Sequence, residues 1–158
     1  MHWSPSDGAA LHVLQSRILF KGLQLLKVGG RLSYSTCSLN PVEDEAVVAA
    51  SLKQFKGCLR LEEVALPGFK FRQGLQDWKV MVDSLGPEVF QEFLRFEDVT
   101  PEYIKKRCIK DTMFPAFYDL ELRKELSKCL RVFPHDQNTS GFFITIITKI
   151  KDFDYNAD

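Results

Sequence analysis

Apolar positions recur at two different periods along the first third of the chain, and the change of period separates its elements. After the helix-start signature Ser4-Pro5-Ser6-Asp7, Leu11, Leu14, Ile18, Gly22 and Leu25 fall at three- and four-residue steps. They predict a helix that buries this face and stops at Gly29-Gly30. From Arg31 the period drops to two: Arg31-Leu32-Ser33-Tyr34-Ser35-Thr36 alternates, is β-prone and ends at Cys37. Asn40 then offers an N-cap and Pro41 a first helical residue, with Ala46, Val47, Ala49, Ala50 and Leu52 among the apolar positions of a helix ending near Gly57. A second strand is expected around Cys58 to Ala65. Helix, strand, helix, strand with short connections predicts a right-handed crossover in a parallel sheet.

From Leu66 to about Ser127 the pattern becomes charged and punctuated by Pro and Gly, with short helical signals at Pro87 to Phe96 and Thr100-Pro101 to Ile109. This stretch reads as an insertion whose last part, Asp119 to Lys128, makes one more helix. The β pattern returns in Cys129-Leu130-Arg131-Val132-Phe133 and, after a polar turn at Pro134 to Gly141, in Phe142-Phe143-Ile144-Thr145-Ile146-Ile147-Thr148, which suits a strand buried on both faces. The chain therefore reads as α/β. Residues 1–65 form helix-strand-helix-strand, 66–127 an insertion, 128–150 the closing strands and 151–158 an acidic tail expected to fray from Asp152.

The chain has 158 residues, 45% of them hydrophobic with 13 Phe, enough for one packed core. Lys plus Arg and Asp plus Glu both number 21, so there is no overall positive field, and any nucleic-acid contact must be local or shared. Cysteines at 37, 58, 108 and 129 form no CxxC and have no metal-type His spacing, so no metal is expected. No basic-then-apolar leader and no long apolar run signals secretion or a membrane span, and free thiols fit a reducing intracellular compartment.

Candidate chemistry concentrates at Cys37. A thiol at a strand end that runs into a helix mouth can be exposed, and unpaired helix N–H groups nearby favour the thiolate, the nucleophilic form. Glu43, Asp44 and Glu45 would then load the helix's first turn with negative charge. Free cysteines as a class are instead buried, small hydrophobes, and spacing alone favours that blander reading. His135 beside Asp136 suggests a Cys-His hydrolase pair with Cys37, but nothing marks an oxyanion hole and the Pro134 to Gly141 run is first of all a polar loop. His2 and His12 read as surface or cap residues, and Lys105, Lys106, Arg107 and Lys110 as a solvated helix face.

Two ordered motifs go further. Ser35-Thr36-Cys37-Ser38 followed by Asn40-Pro41-x-Glu43-x-Glu45, and Pro134-His135-x-x-Asn138-Thr139-x-Gly141-Phe142-Phe143, resemble the Sun family of S-adenosylmethionine-dependent RNA cytosine-5 methyltransferases. The flanks Trp78-Lys79-Val80-Met81, Met113-Phe114-Pro115 and Cys129 to Pro134 look most like its large eukaryotic, tRNA-modifying branch. The likeness covers nearly the whole chain, loosely from Val82 to Asp111.

The resemblance implies a Rossmann-like sheet with an antiparallel C-terminal strand inserted near the edge, of which this chain supplies the last three strands, mixed parallel and antiparallel. It implies that Cys37 is the nucleophile adding to cytosine carbon 6, with Phe142 a candidate stacking partner for the target base, core packing being the competing reading, while Phe143 belongs to the core. It also implies S-adenosylmethionine as cofactor, an RNA substrate, most simply tRNA, and a nuclear or nucleolar location. The family's glycine-rich cofactor loop and Asp-x-Pro-Cys segment find no match here, although the lead before Gly8, with Trp3, is similar to the family's stretch just past that segment. The expectation is a chain that holds the nucleophile without the cofactor half and is inactive alone. The competing reading is a non-catalytic protein- or RNA-interaction module. A sheet lacking earlier strands would leave the Cys37 strand with a bare edge and favour self-association.

Overall fold

The computed structural model describes residues 4–65 and 67–153. The readings placed on His2, Trp3 and the tail beyond Phe153 lie outside these. Helix α1 (Pro5–Leu25) starts where the signature requires, the Ser4 N–H donating to the Asp7 carboxylate at 2.9 Å. Its buried stripe, however, is Ala9, His12, Ser16, Leu19 and Leu23, and the more apolar stripe faces outward, with Leu14 54% and Ile18 63% exposed. Two stripes of one period lie about 100° apart on the helix, and tertiary contacts chose the less apolar one. His12 is therefore a buried residue, not a surface one. One ring nitrogen lies 2.7 Å from the Val42 carbonyl and the other 2.9 Å from the Thr112 hydroxyl, and burial holds its pKa below the ordinary value against the pull of the Val42 hydrogen bond.

Strand β1 (Arg31–Thr36), helix α2 (Glu45–Gln54) and strand β2 (Leu59–Leu61) follow as the alternation predicts. The middle of the chain holds strand β3 (Arg72–Gln73), strands β4 (Val80–Asp83) and β5 (Phe90–Phe93), helix α3 (Pro101–Arg107) and helix α4 (Leu120–Leu126). Strand β6 (Leu130–Val132), the short helix α5 (Pro134–Gln137) and strand β7 (Phe142–Lys149) close the fold. The helix expected from Pro87 to Phe96 is instead the second arm of a β-hairpin, Val80 pairing with Phe93 and Asp83 with Phe90. The polar turn after Phe133 contains one helical turn, begun by Pro134 and ended by Asn138 at φ 55°. Asn tolerates this left-handed conformation better than most residues.

Strand β7 organises the main sheet. Strand β1 runs antiparallel along one side, from Arg31 opposite Thr148 to Thr36 opposite Phe143, while β2 and β6 share the other side and β3 lies beyond β6. Among the described residues every paired neighbour is antiparallel. The parallel pairing expected for this crossover is not formed: β1 and β2 point the same way, but β7 lies between them and is antiparallel to both, as the resemblance implied for a C-terminal strand. Strand β3 also draws part of the expected insertion into this sheet. Alternation sends Leu32 and Tyr34 toward the core, where Phe143 and Ile147 are fully buried, and leaves Arg31, Ser33 and Ser35 exposed. Among the described residues β1 is the end strand, with one edge unpaired. The last described residues have partners: Phe153 stacks on Phe55 with ring centroids 3.9 Å apart, and Lys149 pairs with Asp152 at 3.3 Å.

Candidate active site

Cys37 is the first residue past β1, and its side chain is exposed. The loop that carries it is tied down by its own short polar residues. The Ser38 N–H donates to Thr36 Oγ1 at 3.1 Å, the Asn40 N–H to Ser38 Oγ at 3.0 Å, and the Val42 N–H to Asn40 Oδ1 at 3.1 Å. Asn40 thus caps a turn over Pro41–Asp44, and α2 proper begins only at Glu45, later than Asn40-Pro41 suggests. The N–H groups expected to be free near the sulfur are spent inside the loop. The turn is anchored again where Ser38 Oγ donates to Glu43 Oε1 at 2.8 Å and Tyr34 donates to the Glu43 carbonyl at 2.6 Å. A Cβ on Gly8 of α1 would overlap the Asn40 amide, so the helix start presses directly on this loop.

Beneath the loop, the acidic residues expected at a solvated helix start are buried: Glu43 is 4% exposed, and Asp44 and Glu45 are 0%. Arg131, from the middle of β6 and 3% exposed, answers them. Its Nε donates to Glu45 at 2.7 Å, its Nη1 to the Leu39 carbonyl at 3.0 Å, and its Nη2 reaches Asp44 at 3.5 Å, while the guanidinium lies over the Phe143 ring. Glu45 also accepts the Leu75 N–H at 2.8 Å. One cation thereby joins β6, α2 and the Cys37 loop. Burial works against the arginine's charge, but its Glu45 hydrogen bonds hold its pKa above the ordinary value.

Asp44 carries its proton near neutrality. Burial is the main cause, with the neighbouring Glu45 and Glu43 adding to it against Thr36 and Arg131, and together they push its pKa up to about 8. The Thr36 hydroxyl donates to Asp44 Oδ1 at 2.6 Å, which favours the charged form without outweighing the burial. The sequence alone does not mark Arg131 as a partner or the carboxylates as buried. The available signals are one charge inside the apolar run Leu130-Arg131-Val132 and three acids directly ahead of the apolar run Ala46 to Ala50.

The sheet brings Cys37 and Phe142 to the same end: Thr36 is opposite Phe143, so the next residues on each strand are Cys37 and Phe142, the latter 37% exposed and Phe143 fully buried. Gly141 fits between the Cys37 loop and α5, where an added Cβ would lie 3.2 Å from Leu39 Cδ1 and 3.7 Å from Pro134. A cavity of about 570 Å³ opens beside the loop between Asn40, Pro41, the start of α1 and the β4–β5 hairpin. The other thiols differ: Cys129 is fully buried, its pKa driven up by burial, Cys58 is half-buried and Cys108 exposed. The buried-filler reading thus describes Cys129 and not Cys37.

His135 is exposed and turned to Arg72, whose Nη2 lies 3.0 Å from its Nε2. Arg107 donates to the Asp83 and Ser84 carbonyls, whereas Lys105, Lys106 and Lys110 are exposed. Among the described residues no cluster of His, Cys, Asp and Glu is arranged to hold a metal, and no helix is long and apolar enough to cross a membrane.

The described residues do not fit an adenosyl cofactor cradle of the glycine-loop kind. The positive-φ glycines, Gly29, Gly57 and Gly68, precede strands or sit in a turn, and none lies between a strand end and the helix after it. The strand-to-helix connection at Cys37 has no glycine, and the amides of Ser38, Asn40 and Val42 are already bonded within it.

A family model described as 16S rRNA methyltransferase RsmB/F matches residues 1–148. The chain is 41% identical to a tRNA (cytosine(34)-C(5))-methyltransferase of Drosophila melanogaster, covering 100% of this chain and 21% of that protein. It is 44% identical to a multisite-specific tRNA:(cytosine-C(5))-methyltransferase of Schizosaccharomyces pombe, covering 93% and 21%. A multisite-specific tRNA:(cytosine-C(5))-methyltransferase of Saccharomyces cerevisiae is 39% identical, covering 95% and 20%. The chain thus spans about a fifth of the length of these relatives. Among solved structures, a methyltransferase homolog protein from Pyrococcus horikoshii superposes with a TM-score of 0.52 at 29% identity, covering 90% of this chain and 32% of that one.

Proposed function

The chain belongs to the 16S rRNA methyltransferase RsmB/F family, and from that premise we propose that it is the nucleophile-bearing part of an RNA cytosine-5 methyltransferase, with Cys37 as the attacking group. The observation that carries this reading is the exposed Cys37 at the end of β1, on a loop whose polar groups are fixed from both sides. Carbon 5 of cytosine is a poor nucleophile. Addition of the Cys37 thiolate to carbon 6 turns the ring into an enamine whose electron density lies at carbon 5, and after carbon 5 has been alkylated, loss of its proton returns the electrons and expels the sulfur from carbon 6.

The chain's part is to present one sulfur in one place. The Thr36, Ser38 and Asn40 hydrogen bonds and the Arg131 bond to the Leu39 carbonyl remove the loop freedom that would otherwise oppose the addition. A base reaches such a sulfur only when unstacked from its neighbours, and the open ring of Phe142 is placed to receive it. The relatives named for tRNA support tRNA as the substrate class.

The family's methyl donor is S-adenosylmethionine, whose cradle the described residues do not form. On this reading the donor is bound by parts of the enzyme other than these residues, and the chain alone is inactive. Two experiments decide the matter. In a full-length enzyme carrying this segment, Cys37→Ala abolishes methyl transfer to tRNA; undiminished transfer rejects the nucleophile. Calorimetric titration of the chain with S-adenosylmethionine yields no binding heat, and saturable binding rejects the division of labour.

A further inference from the structure

We propose that the sheet end beside Cys37 carries, next to the Phe142 ring that receives the target base, a stacking platform for the single-stranded RNA nucleotides that flank it, formed by Phe69, Phe71 and Phe133 with Lys70 and Arg72. The identity of the ligand rests on the function proposed above; the platform itself rests on register, exposure and charge.

Register sets the line. Cys37 follows Thr36, opposite Phe143; Phe142 pairs with Val132, which Phe133 follows; and Arg72 pairs with Arg131, with Phe71 just before it. Cys37, Phe142 and Phe71 therefore lie in one row across the end of the sheet, with Phe133 one residue beyond that row, a span of roughly three strand spacings or about 14 Å. That matches a few consecutive nucleotides.

Polar ties hold the rings in place, with Phe69 and Phe142 exposed and Phe71 and Phe133 half-buried, the latter between Arg72 and His135. Phe69 is 42% and Phe142 37% exposed. The Lys70 N–H donates to Gln137 Oε1 and Gln137 Nε2 donates to the Lys70 carbonyl, both at 2.9 Å, so the segment before β3 is clamped to α5. Arg72 is aimed by Asp136, to which it donates from Nε at 2.8 Å and Nη2 at 2.7 Å, and its guanidinium lies 4.8 Å from the Phe133 centroid. The Phe69 and Phe71 rings are 5.1 Å apart and tilted by 39°.

Arg72 is paired with Asp136, and Lys70 beside it adds a cation to this end of a chain whose cations and anions balance at 21 each. Aromatic faces beside cations suit unstacked bases on a phosphate chain, since every base has a π-face and every linkage a negative charge.

The test is fluorescence anisotropy of the chain with a short labelled single-stranded oligoribonucleotide at several salt concentrations. Phe69→Leu and Phe142→Leu each weaken binding by about tenfold, because Leu keeps the apolar bulk and removes the π-face. Phe69→Trp restores it, and Arg72→Gln lowers the salt dependence by about one ion. Leu120→Ser, an exposed apolar residue on α4, has no effect.

The platform is overturned if the native chain does not bind the oligonucleotide, if the Phe69 and Arg72 variants bind like the native chain, or if Phe69 and Phe142 prove instead to be buried in a self-associated species that dissociates on Phe69→Leu without RNA affinity. Failure here is separable from failure of the proposed function. Neutral platform variants together with a dead Cys37→Ala full-length enzyme remove the platform alone, whereas weakened platform variants with an active Cys37→Ala enzyme remove the nucleophile alone.

Discussion

Replacing Arg131 by Met tests the ion pair beneath the Cys37 loop. The substitution keeps most of the aliphatic volume and removes the guanidinium, leaving Glu45 at 0% exposure with the Leu75 N–H as its remaining hydrogen-bond donor and the Leu39 carbonyl without its partner. Deleting one member of a buried pair costs about 3–5 kcal/mol, mostly the penalty of the abandoned charge, against a total of about 5–15 kcal/mol for a typical domain. At roughly 2–4 °C per kcal/mol for a domain of this size, Tm falls by roughly 6–20 °C. Urea and thermal unfolding followed by circular dichroism measure it.

The double variant Arg131→Met, Glu45→Gln supplies the control. Gln keeps an acceptor for Leu75 without the charge, so the pair is less damaging than the sum of the single changes by well over about 0.5 kcal/mol, the usual limit of additivity. An Arg131→Met cost below about 1 kcal/mol, or strict additivity in the cycle, refutes the buried pair as the loop's anchor.

Asp44 makes a pH prediction of definite sign. Its folded pKa of about 8 lies above the ordinary 3.8, so between these values the native state holds a proton that the unfolded chain has released. Stability contributed by this group therefore declines as pH rises from about 4 to about 8, and Asp44→Asn flattens that slope in urea titrations; an unchanged slope contradicts a protonated Asp44. Thiol alkylation followed by mass spectrometry modifies the exposed Cys37 and Cys108 in the native chain and reaches the fully buried Cys129 only on unfolding, so native labelling of Cys129 argues against the packing described. Because one edge of β1 has no strand beside it among the described residues, sedimentation of the chain shows concentration-dependent association that Ser33→Pro weakens, whereas a concentration-independent monomer excludes edge pairing.

Much of this architecture is legible in the sequence because its signals are local. The period-two run to Thr36, the Pro101 and Asp119 helix starts and the apolar β7 each lie within a few residues of their cause, and the ordered Thr-Cys and Gly-Phe-Phe motifs point to one family. Sequence misleads where a local signal has two solutions. Helix α1 offers two stripes at helical period, and the choice is made by His12 finding Val42 and Thr112, residues 30 and 100 positions away. Asn40-Pro41 is an equally good start for a capped turn and for a helix. The segment Pro87 to Phe96 is short and mixed, and its pairing with Val80 to Asp83 decides for strand.

The carboxylates ahead of α2 show the same limit at the site itself. Three consecutive acids at a helix start normally read as a solvated response to the helix dipole, and nothing nearby in the sequence says otherwise. Their burial depends on Arg131, 86 positions downstream of Glu45, whose own strand is too short to declare which face is buried. Each charge is intelligible only given the other, because an unpartnered ion in that interior would cost more than either element could recover. The same long-range side chain reaches the Leu39 carbonyl, two residues past the sulfur. The position of Cys37 is thus set jointly by β1 and by the far end of the chain, and a change at Arg131 is felt at the thiol through the Leu39 carbonyl, which measurement of the Cys37 alkylation rate in Arg131→Met would register.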